Sequence, residues 1–228
     1  KELELLQLRY EELMRKAKIA AGKTLLYREP PHYITLGKEL PAKALDEILT
    51  DHAEVFTELK EYYKQTSESD TTKISFYEDT YSLYNLYRFA HYYEEAYGKY
   101  IWLKSGASLV IEHTEAMTVI DVNTGSVLKK KKQEDTLFYQ INREAAKEIA
   151  RQLRLRNISG IIMIDFINMK DTAQKEKLLS LLDSECKKDR VHCNVIDMTA
   201  LNLVEMTRSK VRKPLHEQIR SCMKNNRS

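Results

Sequence analysis

Cysteine is scarce in this chain of 228 residues: there are three, Cys186, Cys193 and Cys222, and no C-x-x-C spacing joins any two. An odd count without paired spacing points to a reducing compartment. It also argues against a structural zinc site made by this chain alone. Long apolar runs are missing too. None reaches the roughly 18 to 20 residues that a bilayer span needs, so no membrane-spanning segment is expected. The first residue is Lys1 and no signal-peptide pattern follows it, which suggests a cytoplasmic protein or an internal piece of a longer one. Strong charge bias is also absent: 37 lysines and arginines face 34 acids, for a formal net charge of +3. That sum pulls only weakly on a polyanion, and the placement of the basic residues matters more. They gather in the second half.

What is present is an ordinary globular composition, 43% hydrophobic and 31% charged, long enough to bury a real core. Leu3, Leu6, Tyr10, Leu13 and Ala17 recur at helical spacing, so Glu2 to Ala21 is expected to be a helix ended by Gly22. Thr24 to Tyr27 and Glu47 to Thr50 read as short strands, and Asp51 to Tyr63 as a helix. Pro30 and Pro31 force an extended turn. Residues 80–97 carry six tyrosines at spacings that fit one amphipathic helix, and both they and Trp102 are expected in the core. Three consecutive strands follow, Tyr100 to Leu103, Ser108 to Glu112 and Ala116 to Val122. A long helix is predicted over Thr136 to Arg156, a buried strand over Gly160 to Ile167, a helix over Lys170 to Lys188, and short strands over Cys193 to Asp197 and Asn202 to Glu205. The tail after Pro214 is basic and polar. Helices alternating with strands make the fold class α/β.

Two strand-borne acids stand out. In Ala116-Met-Thr-Val-Ile-Asp-Val-Asn-Thr-Gly125, Asp121 and Asn123 are two apart and share a strand face. In Gly160-Ile-Ile-Met-Ile-Asp-Phe-Ile-Asn-Met169, Asp165 sits within an apolar strand, where an unpaired carboxylate costs several kcal/mol. If the two strands are neighbours, the aspartates make an oxygen-rich magnesium site at the strand ends. The plainer reading, a helix cap or a salt-bridge partner, remains open for each.

The long predicted helix carries Ile141, Ala145, Ile149 and Leu153 on one side and Arg143, Lys147, Arg151 and Arg154 on the other. The basic side is either a solvated face or a track for RNA phosphates. Lys129 to Lys132, with Arg208, Lys210, Arg212 and Lys213, could lengthen such a track. His113 reads as a turn histidine.

At these residues the chain resembles the RNase E/G family of bacterial endoribonucleases. The matching runs are Ile101-Trp-Leu-Lys-Ser-Gly106, Thr114 through Gly125, Asn142 through Arg156, Gly160 through Met169, and Leu203-Val-Glu-Met-Thr-Arg208. A weaker likeness continues upstream in Leu25 to Pro30 and Leu45 to Asp51. The resemblance implies a magnesium-dependent endoribonuclease, with manganese a permissible substitute. It would hydrolyse single-stranded RNA in rRNA and mRNA processing and decay, leaving 5′-phosphate and 3′-hydroxyl ends. It implies Asp121 and Asp165 as metal ligands, Asn123 as the group orienting the scissile phosphate, and Arg190 as a kept RNA contact; the charge pattern adds Lys129, Lys130, Arg143, Lys147, Arg151, Arg154 and Arg208 as candidate RNA contacts. The implied organisation is an N-terminal helix at 1–22, an RNase H-like subdomain at 23–97 and a DNase I-like catalytic subdomain with a mixed sheet at 98–228. A homodimer is one assembly the resemblance allows.

The chain departs from the family pattern in places. Asn168 stands where the family usually has aspartate, and His192 where it usually has arginine; Arg190 is kept. The N-terminal OB-fold, most of the 5′-monophosphate sensor and the zinc-binding cysteine pair that links subunits are not found. Two other readings therefore stand beside the enzyme: an RNA-binding fragment without catalysis, and a structural piece whose basic helix docks on a protein.

Overall fold

The computed structural model describes residues 2–39, 45–66, 73–125 and 134–225. The chain divides into two compact units, Lys1–Phe89 and Ala90–Ser228.

The first unit contains helices α1 (Glu2–Ile19), α2 (His32–Glu39), α3 (Ala53–Thr66) and α4 (Leu83–Leu86), with strands β1 (Glu47–Thr50) and β2 (Lys73–Phe76). β1 and β2 pair in parallel, Glu47 opposite Lys73 through Thr50 opposite Phe76. Ile34, Leu59 and Tyr63 form a small core against them. The diproline stands outside regular structure immediately before α2, with the Pro31 carbonyl accepting from Ile34 N at 2.9 Å. Thr24 to Tyr27 forms no strand, and Leu25 lies open to solvent. A strand needs a ladder partner, and β1 and β2 take each other.

The second unit begins with α5 (Phe89–Tyr97), whose first residue closes the first unit. The single helix expected over residues 80–97 is split, because Arg88 adopts φ +51° between α4 and α5. Tyr84, Tyr87, Tyr92, Tyr93 and Tyr97 are exposed, not in the core as their spacing predicted. Spacing shows that residues share a face, but not which face the fold covers.

Beyond α5 come β3 (Tyr100–Trp102), β4 (Ser108–His113), β5 (Met117–Asn123), α6 (Glu134–Leu155), β6 (Gly160–Asp165), α7 (Thr172–Cys186), β7 (Cys193–Met198), β8 (Leu203–Arg208) and α8 (Leu215–Asn225). The last is a helix where only a polar tail was expected. The strands form one mixed sheet in the order β3-β4-β5-β6-β8-β7. β5 and β6 run parallel, and the other neighbours are antiparallel. A parallel pair needs a long crossover, which α6 supplies.

One face of the sheet is covered. Ile120, Ile162, Ile164 and Met206 pack against Ile141, Ala145, Ile149 and Leu153 of α6 and Leu178 and Leu182 of α7, all essentially inaccessible. Each such aliphatic side chain stabilises the fold by about 1.5–3 kcal/mol. Strict alternation puts Met117, Val119, Ile161 and Met163 on the other face, where Ile161 is 48% exposed. Among the described residues no helix is long and apolar enough to cross a membrane.

Candidate functional site

The parallel pairing of β5 with β6 runs from Met117 opposite Ile161 to Asp121 opposite Asp165. Both aspartates therefore occupy one register position at the same end of adjacent strands, with backbones about 4.8 Å apart. Both project to the open face, since Ile120, Val122 and Ile164 fill the helix-covered one. Asn123, two residues past Asp121, donates from Nδ2 to Asp121 Oδ2 at 2.6 Å. Gly125 follows at φ +56°, and a Cβ there would run into the Gly106 carbonyl oxygen. This glycine lets the β3–β4 turn close over the end of β5, which explains its place in the motif.

The electrostatics follow from that geometry. Partial burial first, and then the negative charge of Asp121, hold the Asp165 carboxyl above the ordinary carboxylate range. Among the described residues, no lysine or arginine forms an ion pair with either aspartate. Neither caps a helix; Asp171 does that for α7. The two readings that competed with an oxygen-rich site thus have no support in the contacts.

The open face in front of the pair is a concavity of about 800 Å³. Met117, Val119, Ile161 and Met163 floor it, and Asp121, Asp165 and Glu205 supply its carboxylates. Glu205 escaped the sequence reading, although its alternation with the buried Val204 and Met206 marks an outward-facing strand position. No group of three histidine, cysteine, aspartate or glutamate side chains lies close enough to hold a metal ion among the described residues. The carboxylate pair alone defines the acidic centre.

Tyr100 and Trp102 were also missed. Trp102 was expected in the core but is 72% exposed. It lies on edge strand β3 opposite Ser108, which is opposite Asn123; Tyr100 lies opposite Val110, which is opposite Asp121. Directly opposed residues share a face, so both rings stand on the carboxylate face, two strand spacings or about 10 Å from β5.

The expected RNA contacts separate. Arg208 is not available: it is 4% exposed, pairs with Asp189 at 2.9 Å and donates from Nη1 to Asn157 Oδ1 and the Ile158 carbonyl, each at 2.9 Å. It ends β8 on the covered side, in line with Val204 and Met206, so it is a structural cation. Arg151 is held by Glu148 and Glu95, which consume its charge. Arg154 is exposed and reaches the Glu185 carbonyl. Arg143 lies over the Tyr139 ring at 5.7 Å; Arg143, Lys147 and Arg190 are exposed and, among the described residues, without a carboxylate partner. The α6 stripe points away from the sheet, because the opposite side of the helix packs on it. The neighbour of Arg143, Asn142, is buried instead, and its amide bonds the backbone of Ile167 just past Asp165. Lys129 and Lys130 lie outside the described residues. Asn168 is exposed between β6 and α7, and His192 is exposed before β7.

The second unit is a mixed α/β domain with one covered sheet face and an acidic pair at the strand ends of the other. Comparison with known proteins gives it a lineage. The Ribonuclease E/G family profile matches residues 1–211, and the chain belongs to that family. It is 37% identical to Ribonuclease G of Haemophilus influenzae over 203 residues, which is 89% of this chain and 41% of that protein. It is 34% identical to Ribonuclease G of Escherichia coli K12 over 206 residues, 90% of this chain and 42% of that protein. It is 31% identical to Ribonuclease E of a Nostoc species over 219 residues, 95% of this chain and 32% of that protein. The chain thus spans less than half the length of these relatives.

Proposed function

We propose that this chain carries the catalytic centre of an endoribonuclease that hydrolyses single-stranded RNA with the help of a divalent cation, magnesium by preference. The observation that carries the reading is the register of Asp121 with Asp165. Two carboxylates at one sheet position, with Asp165 raised in proton affinity by burial and by the charge of Asp121, and neither paired with a base among the described residues, are a charge arrangement that a cation would relieve. Their oxygen donors suit magnesium, which typically takes one or two carboxylates and fills its remaining positions with water and substrate phosphate. The family names and the RNA relationship of the relatives support the same reading.

In this reading Asp121 and Asp165 hold the ion, which when bound offsets charge that builds on the phosphoryl oxygens. Asn123 accepts its own orientation from Asp121 through the 2.6 Å bond and turns its amide toward the strand end, where it donates to a phosphate oxygen. Water attacks phosphorus, the bond from phosphorus to the 3′-oxygen breaks, and that oxygen takes a proton. A 3′-hydroxyl and a 5′-phosphate result. Trp102 and Tyr100 offer stacking area for bases beside the scissile phosphate; Arg190 offers a phosphate contact, and Arg143 and Lys147, on the side of α6 turned away from the sheet, offer contacts to RNA beyond the carboxylate face. The unit Ala90–Ser228 would be the DNase I-like catalytic subdomain, and the first unit the RNase H-like one. Processing and decay of rRNA and mRNA in the bacterial cytoplasm, with a homodimer as the assembly, complete the reading.

A single-stranded RNA oligonucleotide labelled at one end tests it. Magnesium-dependent products with 5′-phosphate ends, abolished in Asp121→Asn and Asp165→Asn, are the expected result. Binding with no magnesium-dependent product would instead assign the chain to RNA binding alone.

A further inference from the structure

A second cavity, of about 440 Å³, opens on the other side of the sheet from the aspartates. It lies between the end of α5, the end of β4, Arg156 just past α6, and the first turns of α8. His113 and Thr118 share a face with the buried Ile120, so this cavity belongs to the helix-covered side. Thr118 is three residues before Asp121, about 10 Å along the strand. The cavity is therefore distinct from the carboxylate site.

Its lining is cationic to a degree the fold does not require. Arg156 is 4% exposed. Its Nε donates to Gln152 Oε1 at 2.6 Å and its Nη2 to the Glu95 carbonyl at 2.8 Å, both neutral acceptors. Among the described residues no carboxylate forms an ion pair with it, since Glu95 and Glu148 are taken by Arg151. Arg220 projects from α8 without a carboxylate partner among the described residues. The cavity's own acid, Glu112, is paired with Lys99. Two histidines complete the wall: the His113 and His216 rings stack at 3.8 Å between centroids, 15° from parallel. His113 Nδ1 is engaged with Thr118 Oγ1 at 3.0 Å, which leaves Nε2 as its free ring nitrogen.

A buried guanidinium whose nearby carboxylate, Glu148, is ion-paired to Arg151 instead is incompletely compensated, and the exposed Arg220 adds a second positive charge to the cavity mouth. We propose that this cavity is a phosphate-binding site, in which the Arg156 and Arg220 guanidiniums and the His113 and His216 rings close on one phosphate group. Guanidinium forks match phosphate oxygens two at a time. The imidazoles respond to the anion as well. Burial, the neighbouring ring and the two guanidiniums hold His113 down to about 4. Burial, with Arg220 and Lys210 and against the pull of Glu217, holds His216 below its ordinary value; an anion in the cavity reverses that and draws protons onto both rings. The site is independent of the cleavage reading.

Side-chain nuclear magnetic resonance of the two histidines, on the full chain without magnesium, tests the site. Inorganic phosphate should raise the His113 titration midpoint by about one pH unit or more, beyond the effect of chloride at equal ionic strength. Arg220→Gln, an exposed change, should weaken phosphate binding about tenfold, the worth of one charge-assisted contact. A single-stranded oligodeoxynucleotide that moves the same resonances would identify nucleic acid as the phosphate source. Response to inorganic phosphate alone would identify a small phosphorylated ligand. Midpoints unmoved by either probe, or moved equally by chloride, or unaffected by Arg220→Gln, would overturn the proposal.

Discussion

Replacing Asp165 with asparagine should make the metal-free protein slightly more stable while removing its response to magnesium. The two carboxylates share a register position, so their charges lie roughly 5 Å apart. At that distance, with the high effective dielectric of a half-exposed site, repulsion is about 1 kcal/mol. Asparagine keeps the shape and removes the charge. For a unit of this size, about 1 kcal/mol corresponds to roughly 2–4 °C in melting temperature. The sign also fixes the pH dependence of the parent protein. The Asp165 carboxyl is raised above its ordinary value, so the folded state carries the cost while Asp165 is ionised and sheds it as pH falls through the carboxylate range. Magnesium should act oppositely: at tenfold excess over its dissociation constant it is expected to stabilise the parent by about 1.4 kcal/mol, and Asp165→Asn should lose most of that. Melting curves in EDTA and in magnesium, for both proteins, read all four values. A variant that melts lower in EDTA and still gains the full magnesium shift would refute the carboxylate pair as a cation seat.

Three further outcomes are expected. Asp189→Ala should destabilise the second unit by about 3–5 kcal/mol in chemical denaturation, because it strands the buried Arg208 cation; a loss under about 1 kcal/mol would contradict the buried-pair account. Trp102→Ala should leave stability within about 0.5 kcal/mol, since the ring is exposed, yet weaken single-stranded RNA binding by about 1–3 kcal/mol in fluorescence titration; unchanged affinity would remove Trp102 from the RNA face. Stability should fall as pH drops from 6.5 toward about 4, because the unfolded chain protonates His113 before the folded one does. His113→Gln should flatten that fall in a pH series of melting curves, and an identical slope would refute the assignment.

Much of the site was legible in the linear order. Asp121 and Asn123 had to share a face because a strand alternates with period two. The apolar run at Gly160–Asp165 read correctly as a strand, but not as a buried one, since its second face is open and Ile161 is 48% exposed; the four-residue steps of Ile141, Ala145, Ile149 and Leu153 had to seat a helix against something apolar. Burial was less legible. The tyrosines of α4 and α5 and the indole of Trp102 have spacings that suit a core, yet they face outward. Arg208 has the look of a phosphate contact but is a buried cation held by Asp189.

By itself the amino-acid order determined the strands β3 to β8 with helices α6 and α7, the acidic motif and the family resemblance, because helix and strand periodicities and short motifs are local properties. Tertiary structure alone decided that Asp121 meets Asp165, that Arg208 turns inward while Trp102 turns outward, and that His113 finds His216 some hundred positions away. Those outcomes depend on strand order and on which sheet face the helices cover. Both are set by the packing of segments distant in sequence, and no local pattern encodes them.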